Sequence, residues 1–413
     1  MEGAGVKILL SNNFYHPNVL GGAEISTQTL AETLVQRGHS VRMLCLSGDA
    51  ETRRFEHNGV RVTALGRKIV GTGPVSDARS PLGRLAWHIS AAQDFGWGRS
   101  LRAAIAEDRP DLVHSFNLAG LTTRLWSAVK AEGLPLVHTL FGTYLVCYRG
   151  PMFRNGRDCG TQCASCELLT RRRRGDSRLV NVVTGDSRAV LDRHLENGYF
   201  PAATERLVVN CGFRQDGAAP PAERAPHTGP LRIGFLGRLH PTKGLDVLLD
   251  ACNRLSGTDW QLRIGGSGSA EQEERLRNLG NPRITFLGWQ KTTEFLAGID
   301  VMVVPSIWND PLPRVVFESF CAGVPVIGSR IGGIPEMVEE GATGHLVTPA
   351  SAEELATALD QLIASPQHAA AMRAACLARA GHFTADRFAD DYLALYARLL
   401  GETGRNLQKE GRA

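Results

Sequence analysis

Two cations, Arg238 and Lys243, follow an apolar run in Gly234-Phe-Leu-Gly-Arg238-Leu-His-Pro-Thr-Lys243-Gly244. A strand ending at Leu236 would bring the chain to a glycine, which lets backbone approach a ligand, and then to both cations ahead of a helix. Two fixed cations and a helix N-terminus at a strand end suit a diphosphate. The same residues also read as ordinary surface cations in a strand–helix loop. Further on, Trp308-Asn-Asp310-Pro-Leu-Pro-Arg-Val-Val-Phe-Glu318 sets two carboxylates eight positions apart. Pro311 and Pro313 forbid regular helix before 313 but suit its first turn. Asp310 therefore falls in a loop and Glu318 on the helix that follows. A loop carboxylate can accept hydrogen bonds from sugar hydroxyls, and a helix carboxylate in the same cleft can hold a ribose. The plainer alternatives are a turn residue and a solvated helix acid.

The N-terminal half offers weaker signals. Pro17-Asn-Val-Leu-Gly21-Gly22-Ala-Glu24 precedes a helix, and a Gly-Gly step there exposes N–H groups that could cradle phosphate, although a plain tight turn reads the same. His138 ends the strand-like Leu136–Leu140, where a histidine is either structural or faces substrate. Cys147, Cys159, Cys163 and Cys166 lie within 20 residues, with a Cys-x2-Cys end, and resemble a tetrahedral zinc site. Free thiols, a redox-labile pair and an Fe–S cluster are the competing readings. Arg171-Arg172-Arg173-Arg174 is either a solvated face or a patch for an anionic membrane surface or a phosphate-bearing acceptor.

These residues need positioning elements, and the chain supplies them in alternation. Its 413 residues suit two or three domains, with 43% hydrophobic and 21% charged residues as in a globular enzyme. The net charge of +4 does not argue for nucleic acid. Apolar runs at Val6–Leu10, Val41–Leu46, Val60–Leu65, Leu112–Phe116, Leu136–Leu140, Leu179–Thr184 and Leu207–Asn210 read as strands, with Ala23–Arg37 a helix ended by Gly38. The segment 215–230 offers nothing to a core and reads as a linker. After it, strands at Leu231–Leu236, Gln261–Gly265, Ile284–Leu287, Val301–Pro305 and Val324–Gly328 alternate with helices, three of which close the chain. Strand–helix alternation implies parallel, doubly wound sheets with ligands at the carboxyl ends of strands.

The expected domains are residues 1–214, carrying the Cys-rich insertion at about 147–166; the linker; residues 231–383; and a C-terminal helix with a frayed tail over 384–413, the helix packing back on the first domain. No stretch reaches the roughly 20 apolar residues of a membrane span and no secretory signal is visible, so a cytoplasmic location is expected, at the inner membrane face if the arginines dock there.

Taken as a set, the C-terminal motifs resemble the retaining GT-B glycosyltransferases of the group 1, family 4-like type. The carriers are the run 237–244, the acidic pair, Ala322-Gly323-Val-Pro325-Val-Ile, Gly332-Gly333-Ile-Pro-Glu336 and Gly344-His-Leu-Val, with Gly265-Gly-Ser-Gly268 and Phe286-Leu-Gly288 fitting as well. The resemblance implies a GT-B α/β fold of two facing, doubly wound Rossmann-like domains. It implies a nucleotide-diphosphate sugar donor, UDP before GDP, and transfer of a hexose-type sugar to a hydroxyl of a saccharide, lipid-linked saccharide or small metabolite. Arg238 and Lys243 would neutralise the departing diphosphate, Glu318 would hold the ribose, and backbone around Gly288 would read the base. Gly21, Gly22, Gly266, Gly332 and Gly333 would line the donor, and His138 would position substrate. Asp310 stands where the family's usual sugar-binding residue is a glutamate, one methylene longer. Some members carry a similar cysteine-rich insertion. With no Asp-x-Asp sequence in the chain, the cations would replace a catalytic divalent metal. A sugar-nucleotide-binding pseudoenzyme, a partner subunit and a nucleotide-sugar epimerase on the same architecture are the alternatives.

Overall fold

The apolar runs of the N-terminal half become a sheet because each can be covered on both faces. In the computed structural model, which describes residues 5–19, 21–66, 97–107, 109–214 and 229–410, the chain forms two units. The first comprises residues 1–150, 161–214 and 385–413. Its strands are β1 (Lys7–Ser11), β2 (Ser40–Leu46), β3 (Arg53–His57), β4 (Val60–Leu65), β5 (Leu112–Ser115), β6 (Leu136–Leu140), β9 (Val182–Gly185) and β10 (Glu205–Val208). They run in the order β10-β9-β6-β5-β1-β2-β4-β3. All neighbours are parallel except β3, which returns antiparallel to β4. β3 was not expected from sequence, because Arg-Arg-Phe-Glu-His gives an edge strand a single apolar residue.

The helix Ala385–Glu410 belongs to this first unit. Phe388, Ala389, Tyr392, Leu395, Tyr396 and Leu399 recur at helical spacing and enter one core with Ile8, Leu10 and Val137 of the sheet. The polar tail expected to fray from Gly401 continues this helix to Glu410.

The second unit comprises residues 151–160 and 215–384. Of the linker expected over 215–230, residues 215–228 lie outside the described residues. Six parallel strands, β11 (Leu231–Leu236), β12 (Trp260–Gly265), β13 (Ile284–Gly288), β14 (Val301–Val304), β15 (Val326–Ser329) and β16 (Gly344–Val347), run in the order β13-β12-β11-β14-β15-β16. Counted within the unit this is 3-2-1-4-5-6, the doubly wound order whose switch point lies between its first and fourth strands. Helices Leu245–Cys252 and Ala352–Ala364 supply Leu248, Leu355 and Leu359 to a core with Ile233 and Leu262.

The insertion differs from expectation. Its middle, residues 151–160, groups with the second unit as a two-residue-strand hairpin, β7 (Phe153–Arg154) and β8 (Arg157–Asp158). Asn155 and Gly156 take positive φ of 52° and 74°, as a tight hairpin turn requires. Asp158 accepts the Asn309 N–H at 3.2 Å, attaching the hairpin to the loop after β14.

Candidate active site

In the second unit the loops leaving β11 and β14 meet at the switch point. After β11, Gly237 and Arg238 lead to a turn of 3-10 helix at Pro241–Lys243, and Gly244 then starts the helix Leu245–Cys252. Gly244 has φ of +69°, and a Cβ there would lie 1.8 Å from Pro305 O. Only glycine allows this approach. The Thr242 carbonyl accepts the Ile307 N–H at 2.9 Å, a second tie between the loops.

This docking brings Lys243 to Asp310. Lys243 Nζ lies 2.5 Å from Asp310 Oδ2, and Ser306 Oγ donates to the same oxygen at 3.3 Å. Asp310 is 5% exposed, so its charge is held by partners inside the protein. Its backbone is fixed too: Gly333 N–H donates to Asp310 O at 2.9 Å. Gly332, at φ +62°, would place a Cβ 2.1 Å from that oxygen. The glycine pair thus lets the loop after β15 close on the Asp310 backbone.

The rest of the set lies on other loops and helices of the same unit. Arg238 is exposed, and its guanidinium makes no hydrogen bond or ion pair among the described residues. Glu318 sits one turn into the helix Arg314–Cys321, paired with Arg314 at 3.1 Å, both largely buried. Gly266 follows β12 and donates its N–H to Gly288 O at 2.7 Å, at the end of β13. Trp289, next in the chain, is 75% exposed. The indole N–H of Trp308 is buried without a partner among the described residues, and the Trp308 ring centroid lies 5.8 Å from Lys243 Nζ. Ser306 and Arg314 escaped the sequence reading. Arg314 had a signal, its i,i+4 spacing to Glu318; Ser306 had none.

A sheet in Rossmann order, with a free guanidinium, a lysine–carboxylate pair and a helix start at its switch point, is built to take an anionic ligand. Comparison with known proteins gives the family. Residues 230–365 match the family model for glycosyl transferases group 1, and residues 21–211 match a glycosyl transferase 4-like domain. The chain belongs to the group 1 glycosyl transferases. It is 28% identical over 333 residues to an uncharacterised 42.6 kDa protein of the Klebsiella pneumoniae cps region, covering 80% of this chain and 87% of that one. It is 30% identical over 327 residues to the D-inositol 3-phosphate glycosyltransferase of Mycobacterium bovis, over 73% of this chain and 64% of that relative's length. Sucrose-phosphate synthase from Thermosynechococcus elongatus shares the fold with a TM-score of 0.74 at 20% identity, covering 96% of this chain and all of that one. Anabaena HepE in complex with UDP and glucose does so at 0.66 and 20%, over 95% and 99% of the two chains. The fold is thus the GT-B glycosyltransferase fold of two Rossmann-like domains.

The first unit of this glycosyltransferase holds the remaining candidates. Gly21 caps the helix Gly22–Gln36 in extended conformation. The Glu24 carboxylate accepts backbone hydrogen bonds at Gly21 and Glu24, while burial raises its pKa. An internal carboxylate therefore already uses an N–H that was expected to face phosphate. His138 lies within β6, 2% exposed. Its ring packs edge-on to Trp126 and stacks on Phe200, and its Nδ1 is 2.9 Å from Ser115 Oγ. Burial lowers its pKa to about 3, so the ring is neutral at ordinary pH. It borders a 90 Å³ cavity shared with Phe116, Asn117, Phe141 and Tyr144.

The four cysteines do not form the expected zinc tetrahedron. Cys147 and Cys166 are buried with sulfurs 3.7 Å apart, Cys163 is exposed, and Cys159 closes the β7–β8 hairpin by donating its N–H to Met152 O at 2.7 Å. Among the described residues, no group of three or more His, Cys, Asp or Glu is arranged to hold a metal ion. A hydrogen bond with Ser165 leads the causes that lower the Cys163 thiol to about 7, whereas burial first raises Cys166 to about 12.

Proposed function

We propose that this glycosyltransferase moves a hexose-type sugar from a nucleotide-diphosphate donor to an acceptor hydroxyl, with retention at the anomeric carbon and without a catalytic metal. The observation that carries the reading is the Lys243–Asp310 pair at the switch point of the second unit, beside the free guanidinium of Arg238. A diphosphate is already a good leaving group, so the site's task is to hold the sugar and neutralise charge as the glycosidic bond to phosphate breaks.

Arg238 and Lys243 take the diphosphate oxygens. Asp310 keeps Lys243 oriented through Oδ2 and offers Oδ1 to a sugar hydroxyl. Glu318, steadied by Arg314, accepts from the ribose. The backbone at Gly288 reads the base, and Gly332 and Gly333 let their loop approach the sugar. His138, neutral, positions substrate by packing or hydrogen bonding and not as a cation. The HepE complexes contain UDP, which supports UDP as the first donor to try, with GDP next.

The test is a calorimetric titration of UDP, GDP and ADP and their sugars against the wild type and Lys243→Met. One nucleotide should bind tightly to the wild type and at least tenfold more weakly to the variant. No binding of any nucleotide to the wild type would overturn the reading. Isotope label followed at the anomeric carbon then separates transfer from epimerisation.

A further inference from the structure

The arginine run 171–174 does not act as one patch, because it lies on a helix, Ala164–Asp176, whose phase is fixed by packing. Cys166, Thr170, Arg173 and Ser177 face inward at spacings of four, three and four. Thr170 receives hydrogen bonds from Tyr199 Oη at 2.9 Å and Gln162 Nε2 at 2.9 Å. Arg173 anchors the helix: its guanidinium lies 3.9 Å over the Tyr144 ring and donates to Tyr144 O at 2.5 Å.

The opposite stripe is Leu168, Arg171, Arg172, Gly175 and, in the turn that follows, Arg178, all exposed. Leu168 is 72% exposed, above every other valine, leucine or isoleucine among the described residues, and Leu169 beside it is 45% exposed. Arg171 and Arg178 have no ion-pair or hydrogen-bond partner among the described residues. The acids nearby are Glu167, 3.7 Å from Arg174, and Asp176, 3.7 Å from Arg172 and bonded to Thr123. Glu167 and Asp176 border the stripe and pair with Arg174 and Arg172, which leaves Arg171 and Arg178 unpaired among the described residues, with two bare leucines at one end.

We propose that this helix face docks on an anionic lipid surface, the arginines meeting headgroup phosphates while Leu168 and Leu169 enter the acyl boundary. Charge complementarity points to an anionic partner. The exposed leucines select a bilayer over a soluble phosphate, because they gain nothing from a ligand without an apolar layer. Exposed single leucines are ordinary on a protein surface; adjacent ones at the end of a cationic stripe in which Arg171 and Arg178 have no partner among the described residues are the observation that carries the inference. The proposal does not depend on the donor site, which lies in the other unit.

The test is co-sedimentation of the full chain with vesicles of phosphatidylcholine alone or with 30 mol% phosphatidylglycerol, for wild type, Arg171→Ser/Arg172→Ser and Leu168→Ser/Leu169→Ser. Wild type should bind the anionic vesicles and leave the zwitterionic ones. The arginine pair should weaken binding by about 20- to 30-fold, roughly fivefold per cation, and the leucine pair by about tenfold or more. All four positions are exposed, and an unchanged thermal melt checks that the variants fold. Absence of wild-type binding overturns the proposal. So does binding lost with the arginines but kept without the leucines, which would make the face a site for soluble polyanions.

Discussion

The two units share a doubly wound plan but put their ionisable groups in opposite places. In the second unit, Arg238, Lys243, Asp310 and Glu318 stand beyond the strand ends, on loops and a helix whose glycines let backbones touch. In the first, His114, His138 and His194 are sealed inside the layers. His114 Nδ1 is 2.6 Å from Tyr396 Oη and its Nε2 is 2.6 Å from Thr139 Oγ1, which also meets Tyr392 Oη at 2.6 Å. Those tyrosines come from the C-terminal helix, so this polar network fastens that helix to the sheet. One sheet uses its polar residues to hold itself together, and the other sets them on the loops and helix beyond its strand ends. The contrast separates polar residues that hold a doubly wound sheet together from those set where the chain leaves the strands, the place where ligands meet such sheets.

The largest expected effect separates the units by acid. Burial is the leading cause that lowers all three histidines: His138 to about 3, His194 to about 4 and His114 well below its ordinary value. Unfolded, each would take up a proton near pH 6.5, so the unfolded chain binds more protons than the folded one as pH falls through that value. Stability must therefore drop on acidification, levelling off only below the folded values. His138 and His194 each account for about 2 kcal/mol between pH 8 and pH 5, and His114 adds to the loss in the same direction. Hydrogen exchange followed by mass spectrometry should show β5, β6 and the helix Arg188–Glu196 losing protection first near pH 5. Earlier loss in the strands β11 to β16 would break the comparison.

A smaller effect tests whether the displayed groups do chemistry. Lys243→Met should lower turnover roughly 10²- to 10³-fold. It should also destabilise the chain by about 3 kcal/mol, because Asp310 is left buried without its cation. Lys243→Met/Asp310→Asn should recover most of that stability, measured by urea unfolding, and none of the turnover. If Lys243→Met keeps wild-type turnover, the pair only cross-links two loops, and the second unit resembles the first after all.

Legibility in the sequence follows the same division. Strands β1, β2, β6 and β11 were plain because two covered faces demand unbroken apolar runs, and the family motifs of the donor side sit in short local windows. Three kinds of feature stayed hidden. β3 was missed because an edge strand with charged residues lacks the pattern of a buried one. The Lys243–Asp310 pairing joins positions 67 apart, which spacing alone cannot propose. The arginine run read as a single patch because the phase of its helix is set by Cys166, Thr170 and Tyr144, not by the arginines. The sequence reading put His138 at a strand end, whereas it lies in the middle of β6, two residues before the strand's last residue.

The smallest effect sharpens the contrast at the C-terminal helix. Tyr396→Phe removes one hydroxyl and leaves ring packing against His114 intact. His114 Nδ1 is then buried without its partner, at a cost of about 1–3 kcal/mol. Tyr392→Phe should cost less, because Thr139 and Thr184 stay bonded to each other at 2.7 Å. Neither change touches the second unit, so nucleotide affinity by calorimetry should match the wild type while the thermal midpoint falls. An affinity that falls along with the midpoint would mean that the C-terminal helix serves the donor site as well as the first sheet. The polar core of the first unit would then be part of the catalytic machinery, and the line between sealed and displayed groups would have to be redrawn.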